Sequence, residues 1–269
     1  MNAHSPSSSQ GDPIDLKEGQ YGSVCRMGLL LPSLNVVCEP EMNRLTPEGV
    51  SVHVTRMWLQ DAMTPESYAR MAEDAAGAAA LLRSARVDVV VYGCTSGAIV
   101  GGSDRLTDTL EREGGAPAVT TAQAVVEALR AMRVQRVAVG TPYVGFVNEA
   151  ERGFLEDAGF DVTEMYGLGM GETPESRAAI GRLKWDAVVD LAKRVDSPEA
   201  EGVFLSCLNI PTIGLLERLE AELGKPVLSS TVATFWAALR RAGVETSIPG
   251  FGSFLTEFPP LPEAAESAD

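Results

Sequence analysis

The sequence predicts an α/β protein built from two pseudo-symmetric, Rossmann-like lobes, each on its own parallel sheet, facing one another across a cleft. Three observations predict it. Short β-branched runs alternate with amphipathic stretches along most of the chain, the pattern of parallel strands wrapped by helices. The order of elements in the first half recurs in the second, the sign of an internal duplication. In each half a strand of the fully buried type ends in a cysteine, Cys94 and then Cys207.

In chain order, Met27–Leu31 is an apolar strand ending at Pro32, and Val50–Met57 alternates in strand fashion. Glu66–Ala85 is an Ala-rich helix. Val87–Tyr92 is rich in β-branched residues, as a strand buried on both faces requires, and it runs into Gly93-Cys94-Thr95-Ser96-Gly97. Thr121–Met132 is a helix whose opening TTAQ carries N-cap chemistry. The second half then opens with the strand Arg136–Val139, which ends in Gly140-Thr141-Pro142-Tyr143. Asn148–Ala158 is a helix stopped by Gly159, a residue that accepts left-handed backbone. Phe160–Tyr166 is a strand and Ile180–Val195 a helix. Gly202–Leu205 is a buried strand running into Ser206-Cys207-Leu208-Asn209. Leu215–Leu223 is a helix closed by Gly224, Val227–Leu228 begins a short strand, and Thr231–Ala242 is the last helix. Pro32 precedes Cys94 by 62 positions, and Pro142 precedes Cys207 by 65. The expected organisation is a disordered leader over 1–22, one lobe from 23–120 with 230–256, a second from 121–229, and a solvated tail over 257–269.

Composition narrows the function. Hydrophobic residues make up 45% of the chain and charged residues 22%, which suits a soluble globular protein with a substantial core. A formal net charge of −15 with no basic cluster argues against nucleic acid and against an anionic membrane surface. No apolar run approaches the roughly 18 residues of a spanning helix, and the first residues lack the basic and apolar regions of a signal peptide. The expected location is the cytoplasm, where thiols stay reduced. The four cysteines (Cys25, Cys38, Cys94, Cys207) have no CxxC spacing, and the only histidines are His4 and His53. No metal site is indicated, and a Ser-His-Asp triad would rest on His53 alone.

Cys25 and Cys38 read as small buried hydrophobes. Cys94 and Cys207 differ because each leaves a buried strand for small polar residues. Unpaired N–H groups of Thr95, Ser96 and Gly97 are expected to face the Cys94 sulfur, favour its thiolate and lower its pKa; the same groups could instead grip a carboxylate. Cys207, before Leu208-Asn209, is expected to be placed alike. Two opposed thiols suit proton transfer on opposite faces of a carbon acid, or addition of one thiolate to an activated alkene while the other handles the proton. Either route needs donors for developing negative charge, and Ser33, Asn35, Thr95, Ser96, Tyr143, Ser206 and Asn209 could supply them.

With these residues in view, the chain resembles the aspartate/glutamate racemase superfamily, and within it the maleate isomerase and arylmalonate decarboxylase branch. The resemblance runs from about Gly28 to Phe254 and rests on LLPSLNVVCEPEM, VVVYGCTSGAI, VAVGTPYVGFVNE, GVFLSCLNIPTI and KPVLSSTVATFWAALRRAG, in that order. It implies a two-domain fold with the active site in the cleft, no metal or organic cofactor, a small carboxylate substrate, and a homodimer or homotetramer. It implies a catalytic pair in which Cys94, as thiolate, adds to an alkene carbon and Cys207 carries the proton. Asn35 matches the carboxylate-binding Asn of a P-S-S-N-T stretch, and Tyr143 matches a T-P-Y tyrosine that donates to a carboxylate or oxyanion. Pro32, Ser33, Thr95, Ser96, Leu208 and Asn209 complete the expected substrate-binding set.

The departures matter too. Leu34 and Val36 replace polar residues of that stretch, which suggests a larger or less polar substrate than maleate. Ser176-Arg177 stands where an Asn is expected in maleate isomerases; Arg177 either clamps a carboxylate or is a solvated arginine opening a helix. Met170 and Trp185 read as core. The leading expectation is a cofactor-independent cis–trans isomerase of maleate or a related small unsaturated dicarboxylate. The rivals are a two-cysteine racemase of an amino acid or hydantoin, an arylmalonate-type decarboxylase, and a non-catalytic binding protein. The decarboxylase is less favoured because that branch resembles G-T-S where this chain has Cys94-Thr95-Ser96.

Overall fold

A computed structural model describes residues 20–59 and 61–258. His4, the expected leader up to residue 19 and the expected tail from 259 lie outside the described residues.

The two lobes carry sheets of the same topology. Strands β1 (Cys25–Pro32), β2 (Val50–Met57), β3 (Val89–Tyr92) and β4 (Ala118–Thr120) form one parallel sheet in the order β2-β1-β3-β4. Strands β5 (Arg136–Thr141), β6 (Asp161–Gly167), β7 (Gly202–Leu205) and β8 (Val227–Ser229) form the other in the order β6-β5-β7-β8. Substituting β5–β8 for β1–β4 maps one order onto the other, so the duplication expected from the strand-to-cysteine spacing is present in the topology. Strands β3 and β7 are buried at every residue, as their unbroken apolar runs require.

Eleven helices among the described residues connect and cover the sheets: α1 (Cys38–Leu45), α2 (Pro65–Ser84), α3 (Thr95–Gly101), α4 (Ser103–Gly114), α5 (Thr121–Ala131), α6 (Gly145–Asp157), α7 (Pro174–Ala179), α8 (Trp185–Val195), α9 (Leu216–Leu223), α10 (Ser230–Arg241) and α11 (Phe254–Glu257). Local chemistry sets several of their ends. Thr64 and Ser67 form a reciprocal capping box with Pro65 just inside α2, and Thr120 and Gln123 form another at α5. Gly224 closes α9 in the left-handed conformation at φ 68°. Helix α10 packs on β1, β3 and β4 of the first sheet and along α5. No helix among the described residues is long and apolar enough to cross a membrane.

Two expectations are corrected. The helix expected over Ile180–Val195 is broken: Ile180–Arg182 is a 3-10 turn, Leu183 and Lys184 are extended at ψ 131° and 151°, and α8 begins only at Trp185. Tertiary packing overrides propensity here, because a Cβ on Gly181 would lie 2.7 Å from Val36 and 2.9 Å from the Asn209 side chain. The chain passes close to the loops after β1 and β7 and turns away. Trp185, expected in the core, is 52% exposed at the start of α8 and lies beside Gly214. Met170 is partly buried against the core.

A buried carboxylate ties the two lobes together. Glu41 in α1 accepts from the N–H groups of Thr212 (2.7 Å) and Ile213 (3.2 Å) and from the Thr212 hydroxyl (3.4 Å). Those partners lie in the loop that follows Cys207, so a first-lobe side chain holds the second-lobe loop. Replacing Glu41 by Ala leaves these buried donors unsatisfied, which costs about 1–3 kcal/mol for a group left without its partner. Glu41→Ala is therefore expected to lower the denaturant midpoint without changing the slope of the unfolding curve.

Candidate active site

The site forms where the carboxyl ends of β1, β3, β5 and β7 face one another. One cavity there is lined by Pro32, Asn35, Cys94, Thr95, Ser96, Tyr143, Cys207, Leu208 and Asn209. These are all the expected site residues except Ser33. That expectation is corrected: the Ser33 hydroxyl is turned away, donating to the Leu59 carbonyl (3.2 Å) and accepting from the Leu59 N–H (2.9 Å). Of the two apolar departures, Leu34 lines the cavity, whereas Val36 faces outward and donates its N–H to Asn209 Oδ1 at 3.0 Å.

Cys94 sits as the N-cap of α3 in extended backbone (φ −151°, ψ 109°), and its sulfur accepts from the Gly97 N–H at 3.3 Å. Glycine is needed at 97 for space, since a Cβ would stand 3.0 Å from that sulfur and 3.1 Å from the Tyr92 hydroxyl. The Ser96 hydroxyl is 3.8 Å from the same sulfur.

Cys207 is not placed alike. It lies at φ 115°, backbone that favours glycine, and opens a turn closed by the Ile210 N–H onto its carbonyl (3.2 Å) rather than a helix. Its sulfur accepts from the Asn209 N–H at 3.3 Å. A residue held in such backbone is a feature of functional sites when its surroundings over-determine it. Here the Ser230 hydroxyl does so, accepting from the Cys207 N–H at 3.0 Å and from the Thr95 hydroxyl at 3.0 Å. One oxygen from the start of α10 thus spans both cysteine turns.

The electrostatics also correct an expectation. The thiols are not activated in the resting site, because burial outweighs the N–H groups around them. Burial pushes Cys94 above the ordinary thiol range, opposed by the Gly97 N–H, the Arg177 charge and the Ser96 hydroxyl. Burial pushes Cys207 up to about 12, opposed by the Asn209 N–H and the Tyr143 hydroxyl and reinforced by the Cys94 and Glu151 charges. Cys94 therefore has the better thiolate environment, and Cys207 holds its proton. Tyr143 is raised well above its usual range by burial and remains a donor. Asn35 spends its side-chain oxygen on the N–H groups of Val37 (3.1 Å) and Cys38 (2.9 Å), which orients its amide and leaves the NH2 available. The Asn209 Nδ2 is buried with no protein partner.

Three relevant residues were missed or left open by the sequence. Arg177 is not a solvated arginine: it is 2% exposed and lines the cavity. Ser230 had a readable signal, because Ser229-Ser230 after β8 repeats the position of Thr120-Thr121 after β4. Glu151 also had one, standing between Val147 and Leu155 on the buried face of α6 where helical spacing calls for an apolar residue. Its carboxylate is buried without a hydrogen-bond partner. Burial raises its pKa to about 7, and the neighbouring Ser206 hydroxyl offsets this only in part. Among the described residues no cluster of three or more His, Cys, Asp or Glu is placed to hold a metal ion.

Fold and site together define a two-lobed α/β protein that brings a pair of thiols to one cavity. The chain belongs to the arylmalonate decarboxylase family, which matches residues 27–255. It is 31% identical over 245 residues to a maleate isomerase of Nocardia farcinica, covering 86% of this chain and 96% of that one. It is 29% identical over 237 residues to an arylmalonate decarboxylase of Bordetella bronchiseptica, covering 84% and 97%. Among solved structures it resembles a Nocardia farcinica maleate cis-trans isomerase, a cysteine-to-serine mutant with a covalently bound succinylcysteine intermediate. The TM-score is 0.81 at 30% identity, over 87% of this chain and 98% of that chain.

Two outcomes follow from this geometry. Ser230→Ala strands two buried donors and is expected to lower stability by about 1–3 kcal/mol, read by chemical denaturation, and to make iodoacetamide labelling of Cys207 less uniform. For Glu151, the folded protein keeps a proton between the usual carboxyl value of 4.5 and about 7 that the unfolded chain has lost. Stability therefore falls as pH rises through that window. The melting temperature of Glu151→Gln minus that of the unaltered protein is expected to grow by several degrees between pH 5 and pH 8, because each pKa unit is worth about 1.4 kcal/mol.

Proposed function

We propose that the protein is a cofactor-independent cis–trans isomerase of maleate or a related small unsaturated dicarboxylate. The observation that carries this reading is that Cys94 and Cys207 line one cavity with unequal surroundings: the Gly97 N–H, the Arg177 charge and the Ser96 hydroxyl oppose the effect of burial at Cys94, whereas Cys207 is pushed further up and holds its proton. Resemblance to maleate isomerases, one of them captured as a succinylcysteine, supports it.

Cys94 first releases its proton to solvent, with the Arg177 charge favouring the anion; as thiolate it adds to one alkene carbon, forming an S–C bond as the π bond opens. The electron pair moves into the carboxylate on the neighbouring carbon, where charge of enediolate type is met by Tyr143, Asn35 and Asn209, donors set before the reaction begins. Cys207 delivers its proton to that carbon, giving a succinyl thioether. Rotation about the new single bond turns the chain to the trans arrangement. Cys207 then takes a proton back, the C–S bond breaks, and Cys94 leaves as thiolate. Cysteine suits both ends of the cycle because it is a strong nucleophile and a workable leaving group.

The lining argues against an amino-acid racemase. No Asp or Glu lines the cavity, so an α-ammonium group would be desolvated without a counter-ion and beside Arg177. The proposed setting is the reducing cytoplasm, which the four free cysteines support.

Proton NMR of the protein with maleate in D2O tests this reading. Maleate is expected to convert to fumarate, and Cys94→Ala and Cys207→Ala are each expected to lose activity by about 10³-fold or more, since the two act as a unit. A Cys207→Ser variant is expected to accumulate a succinyl adduct on Cys94, visible by intact mass. Full activity in both alanine variants would overturn the mechanism.

A further inference from the structure

Arg177 is a buried cation with no Asp or Glu paired to it among the described residues. It lies in α7 and is held by elements of the opposite lobe. Its Nη1 donates to the carbonyls of Asp61 (3.0 Å) and Ala62 (3.0 Å) and to the Ser67 hydroxyl (3.3 Å), and its guanidinium lies 4.9 Å from the centre of the Tyr68 ring. The Asp61 carboxylate is turned away and pairs with Arg70 instead. Among the described residues no Asp or Glu forms an ion pair with Arg177. A chain with a net charge of −15 has carboxylates in excess, yet none has been placed here. An ion taken out of water without a partner is strongly unfavourable, so the arrangement makes sense if the partner arrives with the ligand.

The position of the charge divides the cavity into two ends. Arg177 lines the cavity and lies against Tyr68 in α2, the helix that packs on α3 behind Cys94, and its charge acts on Cys94. The sulfur of Cys207 is served by neutral donors instead, the Asn209 N–H and the Tyr143 hydroxyl. Nη1 is consumed by the protein, while no group among the described residues accepts from Nε or Nη2. Those two nitrogens form the fork that matches a carboxylate.

We propose that Arg177 receives the substrate carboxylate nearer Cys94, while neutral amide and hydroxyl donors hold the other end, and that this makes a carboxylate at the Cys94 end obligatory while the far end also accepts a neutral amide. The inference rests on the isomerase reading for the reaction but not for the binding. It specifies that reading further, because a substrate with both carboxylates replaced by amides or esters leaves the guanidinium buried and unpaired. Leu34, Leu59, Met63 and Ile180 supply apolar wall around the carbon skeleton between the two ends.

Protection of Cys94 from iodoacetamide tests the proposal without turnover. The probes are succinamate, which keeps one carboxylate, and succinamide, which keeps none, with labelling followed by peptide mass. In the unaltered protein succinamate is expected to protect at concentrations about 30-fold or more below succinamide, as befits loss of a paired, charge-assisted contact. Arg177→Gln is expected to erase that preference, and Arg177→Lys, which keeps the charge but not the fork, to retain part of it. Equal protection by the two probes in the unaltered protein overturns the proposal, and this comparison needs no variant to fold. An unchanged preference in a folded Arg177→Gln variant overturns it as well. Carboxylate-dependent protection without conversion of maleate would sustain the Arg177 proposal while refuting the isomerase reading. Conversion of maleate with equal protection would do the reverse.

Discussion

The architecture of the site turns on a single oxygen. Ser230 Oγ accepts from the Thr95 hydroxyl and from the Cys207 N–H, so it is shared by the turn that presents each thiol. Ser230 is fixed in its own right: it follows β8 directly, Ser229 caps α10, and Thr234 donates to the Ser230 carbonyl at 2.6 Å. A hydroxyl at the start of a well-packed helix is a rigid reference point. Hydrogen bonds to it are worth more as geometry than as net energy, because each exchanges for one with water. The duplicated position shows the same design in weaker form. Thr121 Oγ1, after β4, donates to the Tyr92 carbonyl and lies 3.2 Å from the Thr234 hydroxyl. The two crossover points of the fold thus meet through hydroxyls rather than through bulk apolar packing.

That arrangement accounts for the unlike electrostatics of two thiols related by duplication. α3 continues from Cys94, and its N-terminal geometry aims the Gly97 N–H at the sulfur. No helix follows Cys207. The chain turns at once, held by the Asn209 N–H at the sulfur and by Glu41 a few residues further on. Arg177 adds a charge on the Cys94 side, and Glu151 adds pressure against ionisation on the Cys207 side. A symmetric fold therefore carries an asymmetric pair, and the asymmetry lies in the loops.

The parts of the fold legible in the sequence were those determined locally or by uniform burial. The Val-rich run into Tyr92 and the run into Leu205 could be little else than central parallel strands, and Gly159 and Gly224 marked turns by their chemistry. Short helices were hidden. α3 is TSGAIVG, with two glycines and three β-branched residues, and is a poor helix on propensity alone; its cap and its packing hold it. The break at Leu183-Lys184 was hidden for the complementary reason, since the pattern through Val195 is helical and only contact with Val36 and Asn209 interrupts it. At the site, Cys94, Cys207, Tyr143 and Asn209, singled out near strand ends, line one cavity. Strand-end position could not tell that Ser33 would spend its hydroxyl on Leu59, or that Arg177 would be drawn inward, because both outcomes depend on which backbone groups of a distant loop need partners.

Cys207 occupies backbone at φ 115°, and that sets the fold and the chemistry against each other at one codon. A residue with a Cβ in such a conformation carries strain of order 1–3 kcal/mol, and glycine would relieve it. Random drift at this position thus runs downhill in stability and toward loss of the thiol. A lineage released from selection on activity would be expected to shed this cysteine early, and to emerge with a slightly sturdier protein.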